Sequence, residues 1–180
     1  MALIDEVVIR AIAGSGGNGC VSFRREKYVP YGGPNGGNGG RGGSVILIAT
    51  RDKTSLLDFK YKPKYEGERG EHGMGSDCDG RGGEDLILYV PLGTQVYDVK
   101  TGAMLVDLKR HEQRWKAACG GRGGRGNRTF ATSTNRAPRT ASPGRAGDIR
   151  ELKLELRVLA DIGLVGLPNA GKSTLLRSIT

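Results

Sequence analysis

Apolar and polar residues alternate in short stretches along most of this chain, and this pattern predicts β-strands. The clearest stretch is 149–157, where Leu152, Leu154 and Leu156 alternate with charged residues. A period of two is typical of a strand with one buried face. Runs of β-branched and aliphatic residues predict further strands at 3–13, 20–23, 44–49, 84–90, 95–99, 104–108 and 114–119. Many short strands with glycine-rich connections favour a mainly β fold, an all-β barrel or sandwich.

The glycine-rich connections have a different period. Residues 32–43 read GGPNGGNGGRGG, with glycine recurring at every third position. The same spacing recurs in 14–19, 67–73, 80–83, 120–126 and 144–147. A period of three is that of the polyproline II helix, and a bare glycine face lets two such backbones approach closely. We therefore predict a polyproline II bundle built on the strands. The alternative is a set of disordered, RNA-binding glycine tracts.

Charge points to an anionic partner. Glycine accounts for 31 of the 180 residues, and the net charge is +9. Residues 120–150 contain seven arginines, no lysine and one acid, Asp148. Arginine binds phosphate in a bidentate manner and stacks on bases, so this window favours contact with nucleic acid. The candidate RNA contacts are Arg24, Arg25, Lys27, Arg41, Arg122, Arg125, Arg128, Arg136 and Arg139.

The remaining composition suggests a cytoplasmic protein. Cys20, Cys78 and Cys119 are odd in number and far apart, which favours a reducing compartment over a disulfide framework. No apolar run is long enough to predict a membrane span. The N-terminal residues lack a basic targeting pattern. We expect a cytoplasmic monomer.

A second kind of chemistry occurs near the end of the chain. The apolar stretch 158–165 predicts a buried parallel strand, and residues 174–179 predict the start of a helix. Between them, GLPNAGKS matches the phosphate-loop pattern G-x-x-x-x-G-K-[ST] in full. Backbone N–H groups of such a loop surround phosphate oxygens, the lysine neutralises the β- and γ-phosphates, and the serine binds Mg²⁺. The predicted nucleotide-binding residues are Gly166, Leu167, Pro168, Asn169, Ala170, Gly171, Lys172, Ser173 and Thr174, with Ser173 as the Mg²⁺ ligand.

The motifs divide the chain into two parts. Residues 1–157 are expected to form a glycine-rich domain that faces ribosomal RNA, and residues 158–180 the N-terminal fragment of a truncated α/β phosphate-loop domain. About 22 residues cannot form such a domain alone. We therefore expect this chain to be inactive by itself, and the motifs assign no catalytic residue.

Several segments together resemble the Obg/CgtA family of bacterial GTPases. They are GSGGNGCVSFRREK at 14–27, GGPNGGNGGRGGS at 32–44, VPLGT at 90–94, GGRGGRGNRTF at 120–130 and ADIGLVGLPNAGKST at 160–174. The resemblance spans essentially the whole chain. It implies the Obg fold, in which glycine-rich polyproline II helices stand on a small β-barrel and a GTPase domain follows.

The resemblance also implies a function. Members of this family bind GTP and GDP with Mg²⁺ and hydrolyse GTP slowly. They associate with the large ribosomal subunit and its rRNA, and they act in ribosome assembly and in stress control linked to guanosine tetraphosphate. By the same resemblance, Asn169 is a candidate for helping to bind K⁺. The open alternative is a stand-alone rRNA- or ribosome-binding module without nucleotide turnover.

Overall fold

The computed structural model describes residues 5–27 and 32–157, together with Thr174. The elements are β1 (Glu6–Ile12), β2 (Val45–Thr50), α1 (Leu57–Tyr61), β3 (Lys64–Glu66), β4 (Leu86–Pro91), β5 (Thr94–Asp98), β6 (Met104–Leu108), β7 (Arg114–Ala118), a 3-10 helix (Asn127–Phe130) and β8 (Ile149–Leu156). Most of the strands predicted by alternation are present within a few residues of their expected bounds, and β6 has the expected bounds. The short strand β3 and the helix α1 were not predicted.

The strands form two sheets. Five strands are ordered β3-β1-β8-β5-β6, and three are ordered β4-β2-β7. In the larger sheet β1 and β8 are antiparallel, with Ile9 opposite Leu152. In the smaller sheet β2 lies parallel to β4 and antiparallel to β7. The β5–β6 hairpin turns at Gly102, whose φ of 67° is in the left-handed region that glycine tolerates best.

One hydrophobic core fills the space between the two sheets. Leu152 and Leu154 of the larger sheet and Val45 and Leu47 of the smaller sheet are fully buried in the same cluster. Leu152, Leu154 and Leu156 are all buried, as their alternation predicted. The core therefore consists of side chains that hold the two backbones apart, as in face-to-face sheet packing.

The expected closed barrel is not formed. No strand ladder among the described residues joins the five-stranded sheet to the three-stranded sheet, so both sheets are open. Closure would require an edge strand of the larger sheet, β3 or β6, to pair with an edge strand of the smaller sheet, β4 or β7, and these strands form no such ladder. The mainly β class is confirmed, and the barrel is corrected to two packed open sheets.

Six glycine-rich segments extend from the strands. Segments I, III and V follow the ends of β1, β3 and β7, and segments II, IV and VI lead into β2, β4 and β8. They are 13–20 (I), 35–43 (II), 67–74 (III), 78–84 (IV), 119–126 (V) and 142–148 (VI). We call these six segments the glycine bundle. Because every segment continues a strand, the bundle stands at one end of the two sheets.

Backbone hydrogen bonds join the segments at every third residue. Between segments I and II, the N–H groups of Gly14, Gly17 and Cys20 donate to carbonyls of residues 43, 40 and 37, at N···O distances of 2.8 to 3.0 Å. Between segments I and V, Gly121 and Gly124 donate to Gly14 and Gly17. Bonds repeating every three residues have the polyproline II period, so the predicted bundle is present.

The bundle joins what the sheets leave apart. Strands that are neighbours in one sheet continue into segments that are neighbours in the bundle. Strands β1 and β3 continue into the paired segments I and III, and β2 and β7 continue into the paired segments II and V. The bundle adds pairs that cross between the sheets: I with II, II with III, I with V, III with IV and V with VI. Segments I and II, one from each sheet, are therefore the two central segments.

One further local expectation is corrected. Residues 20–23 form no strand, because Cys20 belongs to segment I and only an isolated bridge joins Phe23 to Pro34.

Residues 67–83 are both exposed and bonded into the bundle. Their charged side chains are exposed, but their backbone N–H groups bond to segments I and II, as in Gly70 to Ser15 at 2.9 Å.

Candidate nucleic-acid interface on the glycine bundle

The registers of segment V decide where its arginines lie. A Cβ added at Gly120 or Gly123 would come within 3.0 Å of a backbone carbonyl of segment II. A Cβ at Gly121 or Gly124 would do the same against segment VI. Two of the three residues in each turn must therefore be glycine. The third position, the one with room for a side chain, is occupied by Arg122 and Arg125, and Arg128 follows in the 3-10 helix beyond segment V.

The flank formed by segments III and IV carries more acidic than basic side chains. Its carboxylates accept backbone N–H groups, as Glu68 does from Glu84 at 2.6 Å. They also pair with arginines. Arg128 binds both carboxylate oxygens of Asp79, at 2.9 and 3.1 Å, and also contacts Asp77. Acidic side chains on this flank thus neutralise cations that point towards it.

Two arginines that reach this flank have partners within the protein, whereas Arg69 of segment III is exposed and forms no ion pair with any residue that the structure describes. Arg41 reaches Asp85 at 3.0 Å, and Arg81 reaches Glu84 at 2.7 Å. The N–H of Ser44 donates to the Asp85 carboxylate and, with Arg41 as a smaller cause, holds the pKa of Asp85 below its usual value. The predicted contacts Arg41 and Arg128 therefore have intramolecular partners to release before they could bind phosphate.

The flank formed by segments V and VI is basic. Arg122, Arg125 and Arg145 are exposed, and none of them forms an ion pair with any residue that the structure describes. Asp148, the acid of this flank, accepts the backbone N–H of Cys119 at 3.2 Å. This flank therefore presents uncompensated positive charge to an anionic partner.

Other predicted contacts lie at the distal end, away from the sheets. Arg24 forms a bidentate pair with Glu26, at 2.8 and 2.9 Å, which raises the pKa of Arg24 and lowers that of Glu26. Arg25 and Lys27 are exposed in the loop that joins segments I and II. Arg136 and Arg139 are exposed in the loop that joins segments V and VI. The structure thus brings these cations to one end of the molecule.

Asn127 fixes the loop between segments V and VI. It is fully buried, and its side-chain oxygen accepts the N–H of Gly36 at 2.9 Å. Its amide nitrogen donates to the carbonyls of Ser22 and Pro138, at 2.9 and 3.1 Å. One side chain therefore joins three parts of the distal end, and it sets where Arg136 and Arg139 can lie.

Comparison with known proteins agrees with this geometry. Residues 4–158 match the family model described as GTP1/OBG. The chain belongs to the GTP1/OBG family. The match covers both sheets and the whole glycine bundle. The Obg resemblance seen in the glycine tracts is thereby confirmed.

Three relatives of this Obg-family chain share the name GTPase Obg. The chain is 58 % identical to GTPase Obg of Syntrophobacter fumaroxidans over 180 residues, which is all of this chain and 52 % of that protein. It is 57 % identical to GTPase Obg of Myxococcus xanthus, of which it covers 37 %, and 53 % identical to GTPase Obg of Sorangium cellulosum, of which it covers 52 %. The chain spans about half the length, or less, of these curated relatives.

The predicted phosphate loop lies outside the described residues. This applies to Gly166–Ser173 and to the Mg²⁺ and K⁺ assignments on Ser173 and Asn169. Thr174, the last residue of the predicted site, is helical and exposed. Among the described residues, no helix is long and apolar enough to cross a membrane.

Sequence reasoning missed three residues of this Obg-family interface. Arg145 was counted in the basic window but was not assigned a contact, because only the pairing of segments V and VI places it beside Arg122. Phe130 and Asn127 were also not assigned. A buried asparagine has no local sequence signal, since its partners Ser22 and Gly36 are about 100 residues away in the chain.

Proposed function

We propose that this chain is the N-terminal part of a Mg²⁺-dependent protein that binds and hydrolyses GTP and that associates with the large ribosomal subunit. In this proposal the glycine bundle contacts rRNA, and the nucleotide state of the following domain controls that contact. The protein acts in ribosome assembly and stress control in the cytoplasm, with guanosine tetraphosphate as a further guanine-nucleotide ligand.

The nucleotide part rests on the sequence motif and on the relatives named GTPase Obg. The N–H groups of the loop surround the phosphates, and Gly166 and Gly171 allow the backbone to do so. Lys172 neutralises the β- and γ-phosphates. The Ser173 hydroxyl binds Mg²⁺, which neutralises charge that develops during phosphoryl transfer. Asn169 contributes to a K⁺ site.

The RNA part rests on one observation. A rigid, backbone-bonded bundle carries unpaired arginines on one flank and further cations at its distal end, while the opposite flank has more carboxylates than arginines. Backbone phosphates are the abundant anions of rRNA, and arginine suits them better than lysine does. The side chains involved point away from the bundle, so contact would require no unfolding.

Nucleotide turnover is tested by comparing residues 1–180 with a longer chain that contains the complete following domain. We expect GTP hydrolysis only in the longer chain, and its loss in Lys172→Ala and Ser173→Ala variants. Without the remaining strands and guanine-reading segment, residues 1–180 should bind GTP weakly. A longer chain that does not hydrolyse GTP would instead favour a ribosome-binding module without nucleotide turnover.

Ribosome association is tested by co-sedimentation with large subunits over a salt series. A distal variant replaces Arg25, Arg136 and Arg139 by Ala, and should weaken association at least tenfold with a flatter salt dependence. A control variant replaces Arg51, Arg110 and Arg114 by Ala. These three residues are exposed and lie outside the glycine bundle, so the control removes the same charge elsewhere. Equal losses in both variants, or no sedimentation of the unaltered chain, would contradict the proposal.

A further inference from the structure

A cleft of about 370 Å³ lies on the basic flank, between segments V and VI. Its walls include Arg122, Arg125, Phe130, Pro143 and Arg145, and the glycine backbone of segment V forms part of its lining. The cleft is therefore part of a rigid framework, because the backbones on both sides are bonded to each other and to segment I.

Backbone pairing brings the three arginines together. Segments V and VI are antiparallel, and the N–H of Arg145 donates to the carbonyl of Arg122 at 2.8 Å. Arg125 lies three residues beyond Arg122, one polyproline II turn of about 9 Å along the same side. Its carbonyl accepts the N–H of Ser142 at 2.9 Å. The side chains cannot move to the inner faces, which have room only for glycine.

The three guanidinium groups lack internal compensation. No described carboxylate pairs with any of these three side chains. The opposite flank shows that this bundle can supply such carboxylates, because Asp77 and Asp79 pair with Arg128. An anion that enters the cleft therefore meets three cations on one face and has no internal carboxylate to displace.

Phe130 indicates that the anion is a phosphate attached to a planar group. Its side chain is only partly buried and lines the cleft beside the arginines. An aromatic face next to phosphate-binding cations is the combination that single-stranded nucleic acids use, with bases on the rings and phosphates on the cations. A volume of about 370 Å³ is within the range of small-ligand sites and is large enough for one nucleotide.

We infer that this cleft is a nucleotide-binding site separate from the phosphate loop, in which Arg122, Arg125 and Arg145 bind phosphate and Phe130 stacks on the base. The nucleotide comes either from an unpaired position in RNA or from a free nucleoside phosphate. The inference deepens the proposed RNA interface, and for the RNA source it rests on that proposal.

The test uses the whole chain and labelled pentaadenylate, with an abasic phosphodiester of the same length as the second probe. Fluorescence anisotropy is measured for the unaltered chain, for Arg122→Ala/Arg125→Ala/Arg145→Ala, and for Phe130→Leu. The control replaces Arg69, Arg110 and Arg114 by Ala, which removes equal charge. Since residues 166–173 are identical in all variants, differences between them report the cleft.

We expect the cleft triple variant to weaken binding of both probes at least tenfold, and the control to change it less than threefold. Phe130→Leu should weaken pentaadenylate at least threefold and leave the abasic probe unchanged. If adenosine monophosphate displaces labelled pentaadenylate, and if the same substitutions weaken its binding, a free nucleotide is supported as the source. If pentaadenylate binds but adenosine monophosphate does not displace it, RNA is supported as the source.

Three results would overturn the inference: no binding of either probe by the unaltered chain, equal losses in the cleft and control variants, or equal effects of Phe130→Leu on both probes. Amide spectra of each variant check that the bundle is still folded. The large-subunit proposal fails separately, if the unaltered chain does not sediment with large subunits, so the two failures are distinguishable.

Discussion

Six of the eight strands continue into the glycine bundle, but the sheets and the bundle are packed by opposite rules. In the sheets, large side chains such as Leu47 and Leu154 fill the space between two backbones that do not bond to each other. In the bundle, side chains are absent from the inner faces and the backbones bond directly. The bundle shows that glycine can specify order, through the close approach that it permits.

This difference also separates stability from binding. The positions of closest backbone approach accept only glycine, so the charged side chains of the bundle lie on its outside. Acidic side chains on one flank bond to backbone and arginine, whereas the arginines of the other flank remain available. The bundle is held together by its backbone, so its outer side chains are available for binding. In a fold packed by side chains, some of those side chains would be needed for the core.

The contrast predicts opposite responses to small changes in side-chain volume. In Gly17→Ala the new methyl group would overlap the carbonyl of Glu71, which is backbone and cannot move alone. We expect a loss of at least about 4 kcal/mol in the free energy of unfolding, or failure to fold. The control is Gly82→Ala, where the methyl group would be 3.6 Å from the Arg41 carbonyl and should cost less than about 1 kcal/mol.

Urea denaturation followed by circular dichroism measures both variants. A stable Gly17→Ala variant, within about 1 kcal/mol of the Gly82→Ala control, would show that the central segments are less closely packed than described.

In the sheets the destabilising change is the removal of volume. Leu154 is fully buried between the sheets, and Leu154→Ala should cost about 3 kcal/mol through lost burial and an unfilled cavity. Urea denaturation provides the measurement, with Leu105→Ala, at an exposed position of β6, as the control. Equal effects at both positions would contradict the assignment of the core.

Asn127 connects the bundle to its distal loops, and its loss should have an intermediate effect. In Asn127→Ala the buried N–H of Gly36 loses its acceptor, and the carbonyls of Ser22 and Pro138 lose their donor. We expect a cost of about 2 to 3 kcal/mol by thermal denaturation. Asn135→Ala, at an exposed position of the same loop, should be nearly neutral. The prediction is wrong if both variants have the same midpoint temperature of unfolding.

Asp85 gives a smaller, pH-dependent effect. Its pKa is lowered by the N–H of Ser44 and by Arg41, and its side chain is 31 % exposed. A lowered native pKa stabilises the fold above the unfolded value of about 3.9, and that contribution is lost as the pH falls through the native pKa.

Asp85→Asn should therefore cost about 1 kcal/mol between pH 5 and 8, and the difference from the unaltered chain should shrink below pH 4. Urea denaturation across this range measures it, with Asp5→Asn, at an exposed position, as the control. A difference that does not change with pH would refute the role given to this carboxylate.

The parts of the fold that were predictable are those with a local period. Leu152, Leu154 and Leu156 predicted β8, and the triplet glycines predicted the bundle. Sheet pairing was not predictable, because an apolar face does not show which strand lies beside it. The alternation therefore left a barrel and a sandwich open, and the barrel that the family resemblance implied is replaced by two open sheets.

The candidate interface was predictable only in part. Arg122 and Arg125 follow from the triplet register and the charge of their window. The pairing of Arg128 with Asp77 and Asp79, and the approach of Arg145 to Arg122, depend on contacts between segments distant in sequence. Composition indicates the sign of the surface charge. Only the bundle geometry distinguishes arginines that have intramolecular partners from those that do not.

The central claim is that the glycine bundle is ordered by direct backbone bonding. Amide hydrogen exchange by NMR tests it at Gly17, Gly40 and Gly124, whose N–H groups donate to carbonyls of neighbouring segments at 2.8 to 2.9 Å. We predict protection comparable to that of the Leu152 and Leu154 amides in β8. Exchange of these glycines at the rate of an unstructured peptide, while β8 remains protected, would contradict the account.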